Sequence, residues 1–124
     1  MKTQKYDELK LHYKIWFTDQ NEKGILGDGK WKILKAIDET GSLTSACEKL
    51  NITYRRTWND LKAIEKQLGF TLLEKSRGGA EGGSTSLTPE GKKLIHAFDD
   101  FHEKMDVIMQ QHFTELKKLL TSDD

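Results

Sequence analysis

From Thr88-Pro89-Glu90 onward the sequence offers a helix start and then no helix breaker until about Ser122. Thr88 supplies a capping hydroxyl. Proline sits at the first helical position, where its missing N–H is no loss, and Glu90 places an acid at the positive end of the helix dipole. At 1.5 Å per residue such a helix is roughly 45 Å long, too long for the small domain that the rest of a 124-residue chain can build. Leu94, Phe98, Phe101, Met105, Met109, Phe113, Leu116 and Leu120 recur along it about every 3.7 residues, near the helical repeat and without strict coiled-coil spacing. The first part of this stripe can cover its own domain. From Met105 on it finds nothing else in the chain to pack against, and an exposed stripe of that length is unfavourable in water. The expectation is a homodimer whose interface comprises Phe98, Phe101, Met105, Ile108, Met109, Phe113, Leu116 and Leu120. A helix folded back on its own domain is the alternative.

What precedes the long helix reads as one small domain with strands at its margins. In residues 9–17 the apolar side chains Leu9, Leu11, Tyr13, Ile15 and Phe17 alternate with others, the period of a half-buried strand. Turn residues follow, and residues 24–27 offer a short return strand, so 1–29 is read as an N-terminal strand or hairpin. The period then changes. Trp31, Ile33, Leu34 and Ile37 share one helical face, and Gly41 suits a left-handed C-cap. Ser42 can cap a second helix carrying Leu43, Ala46, Cys47 and Leu50. Residues 51–53 make a tight turn, with Thr53 placed to cap a third helix that Gly69 closes. Residues 30–69 are thus a three-helix unit, and 43–68 have the interlocking apolar positions of a helix-turn-helix: small Ala46 where helices cross, Ile52 in the turn, and Thr57, Leu61, Ile64 and Leu68 as the inner stripe.

The outer face of that third helix carries the chemistry. Tyr54, Arg55, Arg56, Asn59 and Lys62 cluster toward its N-terminal end. An α-helix fits the major groove of B-DNA, where arginine pairs in bidentate fashion with guanine and asparagine with adenine. Backbone N–H groups at the starts of the second and third helices can hold phosphates, helped by Thr44, Ser45 and Thr53. Trp58 falls between the core stripe and this face, with partial burial and an edge near DNA expected, whereas Trp16 and Trp31 read as core. An ordinary solvated helix pair is the competing reading. The next segment weighs against it: residues 70–87 read as a β-hairpin with a glycine-rich tip. Gly79 and Gly82 would let that tip lie along a phosphate backbone, and Lys75 and Arg77 bring charge to its base. A merely flexible turn is the alternative. Helix, helix, turn, helix and hairpin is the order of a winged helix-turn-helix, so the fold expected is mainly α with a small β component.

These residues resemble a family. The stretch from Gly27 through the Gly41-Ser42-Leu43 turn, Tyr54-Arg55 with Trp58, the double-glycine wing and Leu87-Thr88-Pro89-Glu90-Gly91 together look like the N-terminal DNA-binding domain of ModE-type molybdate-responsive transcription regulators. That domain is a relative of the LysR-type winged helix. The resemblance implies a homodimer held largely by the last helix, with residues 54–62 as the recognition helix. It ties molybdate or tungstate to C-terminal oligonucleotide-fold-like domains, for which these 124 residues leave no room, so DNA binding without that oxyanion is expected.

Composition sets the remaining bounds. The 20 basic and 20 acidic residues cancel, which says nothing against DNA because the placement of charge matters. No apolar run approaches a membrane span and the first residues lack a signal-peptide pattern, so a cytoplasmic protein is expected. The single cysteine, Cys47, excludes an internal disulfide framework and reads as a small buried residue. The four histidines show no metal-ligand spacing, and Asp99, Glu103 and Asp106 read as a solvated face. No catalytic pair, cofactor or metal is expected. The function expected is sequence-specific binding of double-stranded DNA for transcription regulation. A winged-helix protein-interaction adaptor and an oxyanion-responsive sensor working with a partner are the alternatives.

Overall fold

The computed structural model describes residues 5–76 and 84–122. Its elements are β1 (Trp16–Thr18), β2 (Gly24–Gly27), α1 (Asp28–Thr40), α2 (Leu43–Leu50), α3 (Tyr54–Leu68), β3 (Leu73–Ser76), β4 (Ser84–Leu87) and α4 (Pro89–Thr121). Two antiparallel hairpins flank the helices, β1 with β2 and β3 with β4. This is the winged helix-turn-helix order, with a long final helix. No helix among the described residues is long and apolar enough to cross a membrane.

Local chemistry accounts for the helix boundaries. Gly41 ends α1 at φ 84°, a conformation that a side chain rarely adopts, and its N–H returns to the Ile37 carbonyl at 2.8 Å. The Ser42 hydroxyl accepts the Ser45 N–H at 3.0 Å to start α2. Asn51 turns the chain in the left-handed region at φ 55°. Thr88 caps α4 by accepting the Gly91 N–H, and Pro89 follows at the first helical position. Thr53 departs from expectation: it occupies the N-cap position of α3 but its side chain caps nothing, and its carbonyl instead accepts the Thr57 hydroxyl at 2.8 Å.

The core is one cluster. Leu34, Ile37, Leu43, Leu61, Leu72 and Ile95 are the largest side chains sealed in it, with Ala46 and Cys47 at the α1–α2 contact. Ile64 and Thr57 line the inner stripe of α3; Leu68 is only half-buried. Trp31 packs against the cluster from its margin. Trp16, expected in the core, is 64% exposed: it stands opposite Gly27 on the two-stranded ladder, and a sheet of two strands has an uncovered face.

Residues 9–15 also differ from expectation. Only Trp16–Thr18 forms a strand. The alternation upstream is real, since Leu11, Tyr13 and Ile15 are half-buried while His12 and Lys14 are exposed. The segment is buried against helices and has no ladder partner. It runs as a strap along α4, where the Tyr13 hydroxyl donates to Asp106 at 2.6 Å and its ring stacks with His102. Further up, Asp7 lines a cleft with Thr114, Lys117 and Thr121. One flank of distal α4 therefore has company from its own chain.

Candidate nucleic-acid interface

The geometry of α3 follows from its sequence period. Thr57, Leu61 and Ile64 face the core, so Tyr54, Arg55, Arg56 and Asn59 are turned outward and all four are exposed. Arg55, Arg56 and Asn59 have no hydrogen-bond or ion-pair partner among the described residues. Two guanidinium groups and an amide are left with their donors open on the first two turns of a protruding helix. Beside them, Lys30 pairs with Asp60 at 3.0 Å, which ties α1 to the flank of α3 and borders a cleft with Thr53 and Arg56.

Trp58 is half-buried and forms the centre of a stack. The Tyr54 ring lies nearly parallel to it, 6.4 Å between centroids at 9°. Lys62 Nζ sits 4.6 Å from the indole centroid and Lys75 Nζ, from β3, sits 5.0 Å from it. A cation over an indole face is drawn by the ring quadrupole, so this indole holds an ammonium from the helix and one from the wing. Lys62 is engaged a second time, by Glu65 Oε1 at 3.1 Å. Lys62, expected on the DNA-facing side of the third helix, is thus largely committed within the protein.

Glu65 had no sequence signal and proves central. It is 8% exposed, and its Oε2 accepts the backbone N–H groups of Leu72 at 2.7 Å and Leu73 at 2.9 Å. Burial pushes its carboxyl upward, but the Leu73 and Leu72 N–H groups and Lys62 favour the anion more strongly, and the balance is a lowered pKa. The carboxylate fixes the start of the wing to α3. A glutamate three residues after a lysine reads in sequence only as a helix-surface pair, so nothing local points to β3.

The wing itself is a four-residue ladder, Leu73 opposite Leu87 through Ser76 opposite Ser84. Lys75 is exposed at its open side. Arg77, Gly79 and Gly82, expected at the base and tip, lie outside the described residues. At the start of α2, Thr44 is exposed and Ser45 half-buried, beside the Ser42 cap.

The dimer candidates divide along α4. Phe98 is 2% exposed and belongs to the core, where Trp31 and Phe17 pack on it, so it is covered within the protomer and is not an interface residue. Phe101, Ile108, Leu116 and Leu120 are exposed, and Met105, Met109 and Phe113 are half-buried. Two of the three acids expected on a solvated face are engaged as well, while Glu103 is exposed. Asp99 accepts the Trp31 indole N–H and approaches Lys35 at 3.8 Å, while Asp106 holds Tyr13. Among the described residues no group of His, Cys, Asp and Glu is arranged to hold a metal ion.

Comparison with known proteins agrees with this arrangement. Residues 29–92, from the first helix to the start of the last, match the profile of the bacterial regulatory helix-turn-helix protein, lysR family. The transcriptional regulator ModE of Haemophilus influenzae is 31% identical over 94 residues, covering 73% of this chain and 37% of the relative. The molybdenum-pterin-binding protein MopB of Rhodobacter capsulatus is 33% identical over 73 residues, covering 59% of this chain and 27% of the relative. The chain therefore spans only about a quarter to a little more than a third of the length of these relatives. Among solved structures, the CbnR_DBD-DNA complex superposes with a TM-score of 0.56 at 22% identity, over 71% of this chain and 95% of that one, which supports the fold. The chain belongs to the LysR family of bacterial regulatory helix-turn-helix proteins.

Proposed function

We propose that the chain binds double-stranded DNA in a sequence-specific manner as a homodimer and regulates transcription, without a catalytic step. The observation that carries this reading is the N-terminal half of α3, where Arg55, Arg56 and Asn59 present unpaired donors on a helix whose opposite face is locked in the core. Groups of these types read guanine and adenine edges in the major groove. The helix starts at Ser42 and Thr53 and the wing at Lys75 would hold phosphates and so fix the register of the helix on the duplex. The exposed apolar residues of α4 support pairing with a second copy, which would set two half-sites about one DNA turn, ~34 Å, or a multiple apart. Functionally the chain then divides into an N-terminal hairpin over 1–29, a reading unit over 30–69, a wing over 70–87 and a dimerisation helix over 88–121.

Selection of bound fragments from random DNA tests the reading, with a two-fold symmetric winning site as the expected result. Affinity should fall steeply between low and moderate salt, because phosphate contacts release counterions. Binding to any partner that barely weakens with salt would favour a protein-interaction module instead. The reading assigns DNA alone to these residues, so isothermal titration with molybdate, the oxyanion that the sequence resemblance raises, should give no heat.

A further inference from the structure

The outer surface of α3 consists of rows of residues four apart, as the helical period requires. Tyr54, Trp58 and Lys62 form the row beside the wing, where Lys75 of β3 meets Trp58. Arg55 and Asn59 form the middle row. Arg56 and Asp60 form the row beside α1, where Lys30 pairs with Asp60. The middle row and Arg56 end in open polar donors. The wing-side row ends differently: Tyr54, the first residue of the helix, presents an aromatic ring that is 42% exposed. An exposed side chain ordinarily hops freely between rotamers. This ring instead lies stacked on the Trp58 indole, 9° from parallel, and the indole is held in turn by the Lys62 and Lys75 ammonium groups.

We propose that Tyr54 is a specificity-determining residue that packs on the 5-methyl group of a thymine in each half-site, with Trp58 as its positioning residue. The proposal rests on the DNA-binding reading and names a base contact beyond the purine edges met by arginine and asparagine. In the major groove every base pair offers hydrogen-bonding groups, and only thymine adds an apolar one, its methyl. A phenyl face set against a polar edge would take water from donors and acceptors and give nothing back. Against a methyl it buries apolar surface at no such cost. The first turn of a recognition helix is the end that reaches base edges, and Tyr54 opens that turn. Stacking on Trp58 orders the ring before the duplex arrives, so little further ordering is needed on binding. Because the row lies beside β3, the thymine falls on the wing side of the bases facing Arg55 and Asn59.

Fragment selection from random DNA supplies the site for the test. Each of its thymines is then replaced in turn by deoxyuridine, in both half-sites together, which removes the methyl and keeps the base pair. One thymine position should respond, with affinity falling about fourfold per half-site, the worth of one buried methyl group. Tyr54→Ala should bind the thymine and deoxyuridine sites equally. Tyr54→Phe should keep the full response, since the ring and not the hydroxyl meets the methyl. Circular dichroism should show unaltered helix content in both variants. Trp58→Ala should shrink the response, and Trp58→Phe, which keeps a ring to stack on, should restore it. A selected site that lacks thymine, one at which no deoxyuridine replacement matters, or a Tyr54→Ala variant that responds like the wild type overturns the proposal and leaves DNA binding standing. A full response in Trp58→Ala overturns the positioning role of the indole. A selection that recovers no site overturns the DNA-binding reading and the thymine contact with it.

Discussion

The Glu65 carboxylate accepts the Leu72 N–H at 2.7 Å, joining the last turn of α3 to the first residues of the wing. The same oxygen takes the Leu73 N–H, and the other oxygen takes Lys62. Leu72 and Leu73 are buried, so without Glu65 two amide donors would be stranded away from water. Leaving buried donors unmet is more unfavourable than the bonds are favourable. Glu65→Ala should therefore cost roughly 3 kcal/mol of unfolding free energy in denaturant titration, and Glu65→Gln, which keeps an acceptor oxygen, distinctly less. The pH dependence has a definite sign. The folded carboxyl titrates below its ordinary value of 4.5, so its contribution is complete above that value and is lost as pH falls through the lower folded value. Glu65→Gln should flatten the acid limb of the stability profile. An acid limb identical in both proteins would contradict this role.

Gly91 is constrained by the same junction. A Cβ built there would lie 2.8 Å from the Leu72 carbonyl oxygen and 3.3 Å from the Thr88 hydroxyl that caps α4. The first contact is with backbone and cannot be relieved by a rotamer change. Gly91→Ala should cost about 1–3 kcal/mol by overpacking despite alanine's better helix propensity. Thermal unfolding checks the sign, and a stabilised variant would show that α4 is not seated this closely on residue 72.

What could be read from the sequence is what local chemistry decides. The cap at Ser42, the glycine stop at Gly41 and the Thr88-Pro89 start depend on residues within one turn, and all three stand where the spacing put them. The inner stripe of α3 was legible because period alone separates Thr57, Leu61 and Ile64 from Arg55 and Asn59. The illegible parts are contacts between distant segments. Glu65 meets a backbone seven residues on, the Tyr13 strap meets a residue 93 positions away, and Lys75 reaches Trp58 from another element. Trp16 is exposed in keeping with the alternation itself, which sets it on the face opposite Leu11, Tyr13, Ile15 and Phe17; its size and apolar character alone suggest the core.

Tyr13 offers a test of the strap. Its hydrogen bond to Asp106 and the nearby negative charge hold the phenol in its protonated form, raising its pKa from 10.0 to about 12. Because the folded value is the higher one, the contact's contribution is fully present below pH 10 and disappears as pH rises toward 12. Phenolate absorbance should show one tyrosine titrating late, and the late step should vanish in Tyr13→Phe. Restoration of an ordinary value in Asp106→Asn would identify the carboxylate as its cause. A late step that survives Tyr13→Phe would rule out this assignment.

Trp58 separates positioning from contact. Its indole holds Lys62 from the helix and Lys75 from the wing, so Trp58→Ala should free both ammonium groups and loosen the wing against α3. Under the DNA-binding reading, affinity for the selected site should fall several-fold, with Trp58→Phe recovering much of it because a phenyl face also attracts a cation. Lys62 is paired with Glu65 already, so Lys62→Ala should change the salt slope of binding by less than the ~0.9 expected for a full phosphate contact. A full-unit change would mean that Lys62 leaves Glu65 and reaches the duplex.

Arg55 and Arg56 carry the specificity prediction, because neither has a partner within the described protein to be disrupted by its removal. Truncating either side chain should leave the unfolding midpoint nearly unchanged, as both are exposed on a helix whose stability comes from its other face. If the side chain reads a base, the same truncation should weaken binding to the selected site by about 1–3 kcal/mol and raise tolerance for substitution at one position in each half-site. A phosphate contact would behave differently: affinity would fall alike for every sequence and the salt slope would drop by nearly one unit. Binding curves on the selected site and on single-base variants, taken at two salt concentrations, distinguish these outcomes for each arginine. Unaltered binding by the Arg55→Ala/Arg56→Ala double variant would remove α3 from the role of recognition helix, since its exposed first turns would then carry none of the affinity.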